Sequence, residues 1–154
     1  MVPVLIWDDG AMYECAAITI FLCDRHQDAK LAPAPNSPLR SLFLQTLVYF
    51  SSSIQTAFQQ DYHPYRFADK IEDEPGAKRR GQKRLMETLQ IIDDQIGENK
   101  WILGECFSAA DIYLYMLTTW LKPSREHPEL SNFPNVQRIA KQTGVRPSIK
   151  LVYG

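Results

Sequence analysis

The chain has 154 residues, with 17 Lys plus Arg against 18 Asp plus Glu and a formal net charge of −1. That balance excludes a general electrostatic pull toward nucleic acid or an anionic membrane. A hydrophobic content of 45% excludes a disordered chain and is enough for a packed core in one or two domains.

No segment reaches the ~18 apolar residues of a membrane span, and the opening does not read as a basic-fronted signal peptide. The three cysteines, Cys15, Cys23 and Cys106, lack metal-ligand spacing and point to a reduced, cytoplasmic setting. The histidines, His26, His63 and His127, show no ligand-like spacing either, so no metal is expected.

In chain order, Val2 to Trp7 is an apolar run broken only by Pro3 and reads as a buried strand. Asp8-Asp9-Gly10 is a turn signal, with Gly10 available for positive φ, and Ala11 to Tyr13 returns as a second strand. From Glu14 the period becomes helical: Ala17, Ile20 and Phe21 share a face, and no Gly or Pro interrupts the stretch to Arg25. Residues 31–36, Leu-Ala-Pro-Ala-Pro-Asn, form an extended linker. The division is therefore 1–30, a 31–36 linker, and 37–154.

Ser37-Pro38 fits a helix N-cap followed by proline at the first helical position. Phe43, Leu47, Phe50, Ile54, Ala57 and Phe58 then line one face up to His63-Pro64. A further helix runs from Pro75 to Ile96, with Leu85, Leu89, Ile92 and Ile96 as its buried stripe. It carries Lys78 to Arg84, "KRRGQKR", after Glu72-Asp73-Glu74, which reads as a solvated helix face and not as a nucleic-acid signal.

The most specific local signal is "FSAADIYLYMLTTW". Ser108 can cap the Asp111 amide while the Asp111 carboxylate reaches back, and Phe107 and Ile112 sit where a hydrophobic staple would close. The helix that follows is apolar on nearly all sides and belongs at the centre of a bundle. Pro123 closes it, and Pro134 and Pro147 open two shorter helices.

Two of these stretches resemble the cytosolic glutathione transferases. "VPVLIWDDGAMYECAAITIFLCDR" is similar to that family's Val-Pro strand, Asp-Gly turn and Glu-Ser helix start. "WILGECFSAADIYLYMLTTW" resembles the capping box and central helix of its all-helical C-terminal domain, and looks closest to the bacterial branches. The Pro-rich linker lies between the two, as the resemblance requires. The implied fold is mainly α: an all-helical C-terminal bundle preceded by a truncated thioredoxin-like β-β-α fragment. By that resemblance roughly 50 residues of the thioredoxin-like domain would precede Met1, about a half domain. They would carry the Ser, Tyr or Cys that activates the glutathione thiol, so no catalytic residue is assigned in this chain.

The resemblance places glutathione, as co-substrate, against four residues. Val2 precedes the strand proline and would pair its backbone with the cysteinyl part of the tripeptide. Pro3 matches a proline held in the cis form; the residues alone also fit an ordinary strand-edge proline. Glu14 and Cys15 fall on the family's Glu-Ser pair, where free amides at a helix N-terminus receive the γ-glutamyl carboxylate and Glu14 the ammonium. Cys15 departs from the family's serine. It reads as a small residue tolerated at a cap, the alternative being a reactive thiol able to form a mixed disulfide with glutathione. Gln55 stands where some bacterial relatives place a His near the substrate cleft; it either lines that cleft or is an exposed helix glutamine.

The expected function is that of a glutathione S-transferase family protein, joining glutathione to a hydrophobic electrophile, with this chain keeping a partial glutathione site and little turnover. The rival readings are a non-catalytic interaction or scaffold module, or a shortened gene product with no function. The resemblance also implies a homodimer. An unpaired apolar first strand strengthens the expectation of dimerisation, element exchange or a mobile N-terminus.

Overall fold

The computed structural model describes residues 3–154. Val2 and its bond to Pro3 lie outside the described residues.

β1 (Val4–Trp7) and β2 (Gly10–Tyr13) form an antiparallel hairpin, with Val4 opposite Tyr13 and Trp7 opposite Gly10. Asp8-Asp9 makes the two-residue turn. Gly10 opens β2 and does not take the left-handed conformation expected of it. Its value is space: a Cβ there would lie 2.9 Å from the Trp7 indole. That indole stacks on Phe21, centroids 5.1 Å apart, and so joins the hairpin to α1 (Cys15–Arg25).

The linker is bound at two points. The Leu31 carbonyl accepts from the Ala109 amide at 2.8 Å, and the Pro33 carbonyl from Arg40 at 3.1 Å. The same guanidinium reaches both Asp24 oxygens at 3.0 Å. One arginine thus ties the end of α1, the linker and the start of α2 together. α2 spans Arg40–Tyr49. Ser37 does not cap it: the Ser37 hydroxyl accepts from Leu39 N in a preceding turn, and the helix opens at Arg40 with no side-chain cap.

The apolar stripe from Phe43 to Phe58 is one rod with a defect. α2 passes into a π-helical turn, Phe50–Ile54, and then α3, Gln55–Tyr62. The Ser51 and Ser52 hydroxyls both donate to the Val48 carbonyl, at 3.0 and 2.8 Å. Such back-bonding competes with the backbone ladder and accompanies the wider turn.

α4 (Glu74–Ile96) buries Leu85, Leu89, Ile92 and Ile96. The basic stretch lies on it as expected: Arg79, Arg80, Lys83 and Arg84 are exposed, while Gly81 is buried against α3. α5 (Ala109–Thr119) begins at the capping box. Asp111 Oδ2 accepts from Ser108 N at 2.8 Å, Asp111 Oδ1 from Ile102 N at 3.0 Å, and Ser108 Oγ takes the Ala110 amide. Phe107 packs edge-on to Trp101, centroids 4.9 Å apart, with Arg146 over its ring.

α6 (Pro134–Gly144) has no cap of its own. Asp93 of α4 supplies one, its Oδ1 accepting from both Asn135 N and Val136 N at 2.8 Å. α7 (Pro147–Tyr153) closes the chain. The core gathers Phe43, Leu47, Ile54, Leu89, Leu114 and Phe133 among α2 to α6, in one bundle on which the hairpin and α1 sit.

Candidate functional site

The site is built where α1 meets α5. Glu14, the N-cap of α1, has φ 79° and ψ 114°, and its side chain makes no cap bond. A non-glycine residue held there costs about 1–3 kcal/mol. The carboxylate stays exposed, and among the described residues the first-turn amides of α1 have no side-chain partner.

Cys15 follows, half-buried. Gln55 Nε2 lies 3.8 Å from its Sγ, within reach of an N–H···S bond, and Gln55 Oε1 accepts from the Tyr113 hydroxyl at 2.7 Å. The π turn directly precedes Gln55. Burial raises the Tyr113 pKa far above its ordinary value, with the Cys15 thiol and the Glu14 carboxylate adding to the rise. The phenol therefore stays protonated and acts as a donor.

A cavity of about 320 Å³ opens beside this network. Pro3, Cys15, Ile18 and Leu22 form one wall and Ile112, Tyr113 and Met116 the other. The helix expected to be apolar all round thus divides its faces: Leu114 and Leu117 enter the core, while Ile112 and Met116 face the cavity half-buried. Ile112 lines the cavity, and Trp101 and Arg146 pack on the Phe107 ring. Cys23 also lines the cavity, but burial, with Asp24 adding and Arg40 opposing, pushes its thiol pKa up. On the far side of Gln55 a second cavity, about 480 Å³, lies between α3 and the end of α5.

The structure thus gathers Pro3, Cys15 and Gln55 in one place, with Glu14 at its rim; Val2 lies outside the described residues. Gln55 is not a free surface glutamine but a bonded bridge. The sequence reading missed Tyr113, taken only as a core residue. A tyrosine in a buried helix needs a partner for its hydroxyl, and that requirement was the available signal.

A family model described as the glutathione S-transferase C-terminal domain matches residues 75–140. The glutathione S-transferase GstA of Escherichia coli O157:H7 is 29% identical over 97% of this chain and 70% of its own length. Glutathione S-transferase F14 of Arabidopsis thaliana is 26% identical over 96% of the chain, which spans 60% of that protein. A sphingomonad glutathione S-transferase, solved in complex with glutathione, superposes with a TM-score of 0.81 at 28% identity, covering 98% of this chain and 71% of its own. Residues 75–140 thus match the glutathione S-transferase C-terminal domain, and nearly the whole chain is similar to members of that family.

Of the three histidines, His127 serves structure. His127 is fully buried: its Nδ1 accepts from Lys122 N at 3.0 Å, so Nε2 carries the proton and donates to Asp61 Oδ2 at 2.9 Å. Arg125 Nε meets the same oxygen at 2.8 Å. Among the described residues no three His, Cys, Asp or Glu side chains gather as a metal ion would need, and no helix is long and apolar enough to cross a membrane.

Proposed function

We propose that this chain holds glutathione at the N-terminus of α1 and presents its thiol to an electrophile. The supporting observation is the bonded series Cys15–Gln55–Tyr113 beside a cavity that Pro3 also lines. The uncapped amides of α1 suit the γ-glutamyl carboxylate, and Glu14 suits the ammonium. Val2 would pair its backbone with the cysteinyl unit, with Pro3 fixing the aim of that backbone. In the transfer step the glutathione sulfur forms a C–S bond to an electrophilic carbon, the leaving group departs with its electron pair, and the thiol proton passes to solvent. The residues of this chain supply the γ-glutamyl side of the cradle and the cavity walls.

The working form is a cytoplasmic homodimer. Three free cysteines suit a reducing compartment. Val4, Ile6 and Tyr13 expose one apolar face of the hairpin, Ile6 at 75%, and a second subunit would cover it.

Calorimetric titration with glutathione tests the reading. Saturable binding that weakens in Glu14→Gln supports it. No binding by a folded dimer overturns it in favour of an interaction module.

A further inference from the structure

The second cavity differs in character from the first. Phe58, Tyr62 and Trp120 supply aromatic walls, with Phe58 and Trp120 edge-to-face at 5.5 Å. Its polar rim carries Gln59, His63 and Lys122 and no carboxylate. Asp61 lies beneath but is engaged by Arg125 and His127. Among the described residues the Lys122 ammonium makes no ion pair or hydrogen bond, while its backbone amide is fixed on His127 Nδ1. The root of that side chain is held and its charge is free. Arg125 is not available: it is committed to Asp61 and lies 4.1 Å over the Tyr62 ring.

A cavity of about 480 Å³ is of small-molecule size. Aromatic walls favour a planar ring, and a single unpaired cation at the mouth favours an anionic substituent on it. Gln55 lines this cavity and bonds Cys15 and Tyr113 at the first, so it is the partition between them.

The geometry points to the second cavity as the site of an aromatic anion, a ring bearing a carboxylate or similar group, seated on Phe58 and Trp120 with its charge at Lys122. As the co-substrate site it rests on the glutathione reading above, so its test is run without glutathione.

1-Naphthoate and its neutral counterpart 1-naphthamide are titrated into the full chain by calorimetry, with the indole N–H signals followed by NMR. Naphthoate should bind roughly fivefold or more tighter than naphthamide and shift the Trp120 indole signal. Lys122→Gln should erase the preference and Lys122→Arg keep it. Equal binding of the two probes, no naphthoate binding at millimolar concentration, a preference that survives Lys122→Gln, or shifts confined to Trp7 and Trp101 would each overturn the proposal. A chain that fails to bind glutathione yet shows the naphthoate preference overturns only the co-substrate role.

Discussion

The Tyr113 hydroxyl donates to Gln55 Oε1 across 2.7 Å, joining α5 to the first residue after the π turn. Tyr113 is buried and Gln55 half-buried, so losing the glutamine's partner or the phenol leaves a poorly solvated polar group behind. Tyr113→Phe should therefore cost about 1–3 kcal/mol in urea unfolding. It should also weaken glutathione binding, because Gln55 loses the bond that aims its amide at Cys15. Gln55→Glu tests the same link in the other sense. It keeps an acceptor for Tyr113 but removes the N–H facing sulfur, so stability should change less than in Tyr113→Phe at neutral pH.

Cys15→Ser restores the stronger hydrogen-bond donor at the start of α1. A thiol donates weakly and a hydroxyl well, so glutathione should bind more tightly by about 0.5–1 kcal/mol. Cys15→Ala should lie at or below the native affinity. Calorimetry on the three proteins gives the order directly. An order with Ala tightest would mean that sulfur crowds the ligand and contributes no bond.

The Asp61 carboxylate feels two opposed effects. Burial pushes its pKa up, but Arg125 and His127 outweigh that and hold it below the usual carboxylate value. A depressed native pKa adds stability that is present above the unfolded value, near pH 4, and lost as pH falls through the lower native one. Asp61→Asn should thus be about 2 kcal/mol less stable at pH 7. The gap should close as pH drops below about 4. A gap that stays constant to pH 2 would show that hydrogen bonding alone, without charge, holds this contact.

Asp93 and α6 show where sequence reading ran out. Pro134 marked the start of that helix correctly, but its cap comes from a side chain more than forty residues earlier. Local spacing cannot reveal a cap that exists only after α4 and α6 pack. The Ser108–Asp111 box was legible because both partners lie within one turn. The same division holds at the site. Pro3, Glu14 and Cys15 could be named from one stretch of sequence, whereas Tyr113 reaches them only through tertiary packing of α5 against α1 and Gln55. The π turn was hidden as well, because serines after an apolar stripe signal small size more readily than a change of helical pitch. Asp93→Ala should cost about 1–2 kcal/mol, and amide exchange in the first turn of α6 should speed up more than in α4.

Gly81 offers a test in which propensity and packing predict opposite signs. In an exposed helix interior, Gly→Ala stabilises by about 1 kcal/mol, because glycine loses more backbone freedom on folding. Gly81 is buried at the crossing of α4 with α3, where a Cβ would sit 2.8 Å from Asp61 N and 3.1 Å from the Ala57 carbonyl oxygen. These are backbone atoms of a helix and cannot swing aside as a side-chain tip would. The helices must separate, loosening the close packing around Phe58 and Asp61. Gly81→Ala should therefore destabilise by about 1–3 kcal/mol. Gly76→Ala on the same helix, where an added Cβ meets only arginine side-chain tips at 3.5 Å or more, should be neutral or stabilising. Urea unfolding of the pair separates the two effects. Equal gains in both variants would mean that α3 and α4 are not in close contact at Gly81, and the bundle described above would have to be redrawn at that crossing.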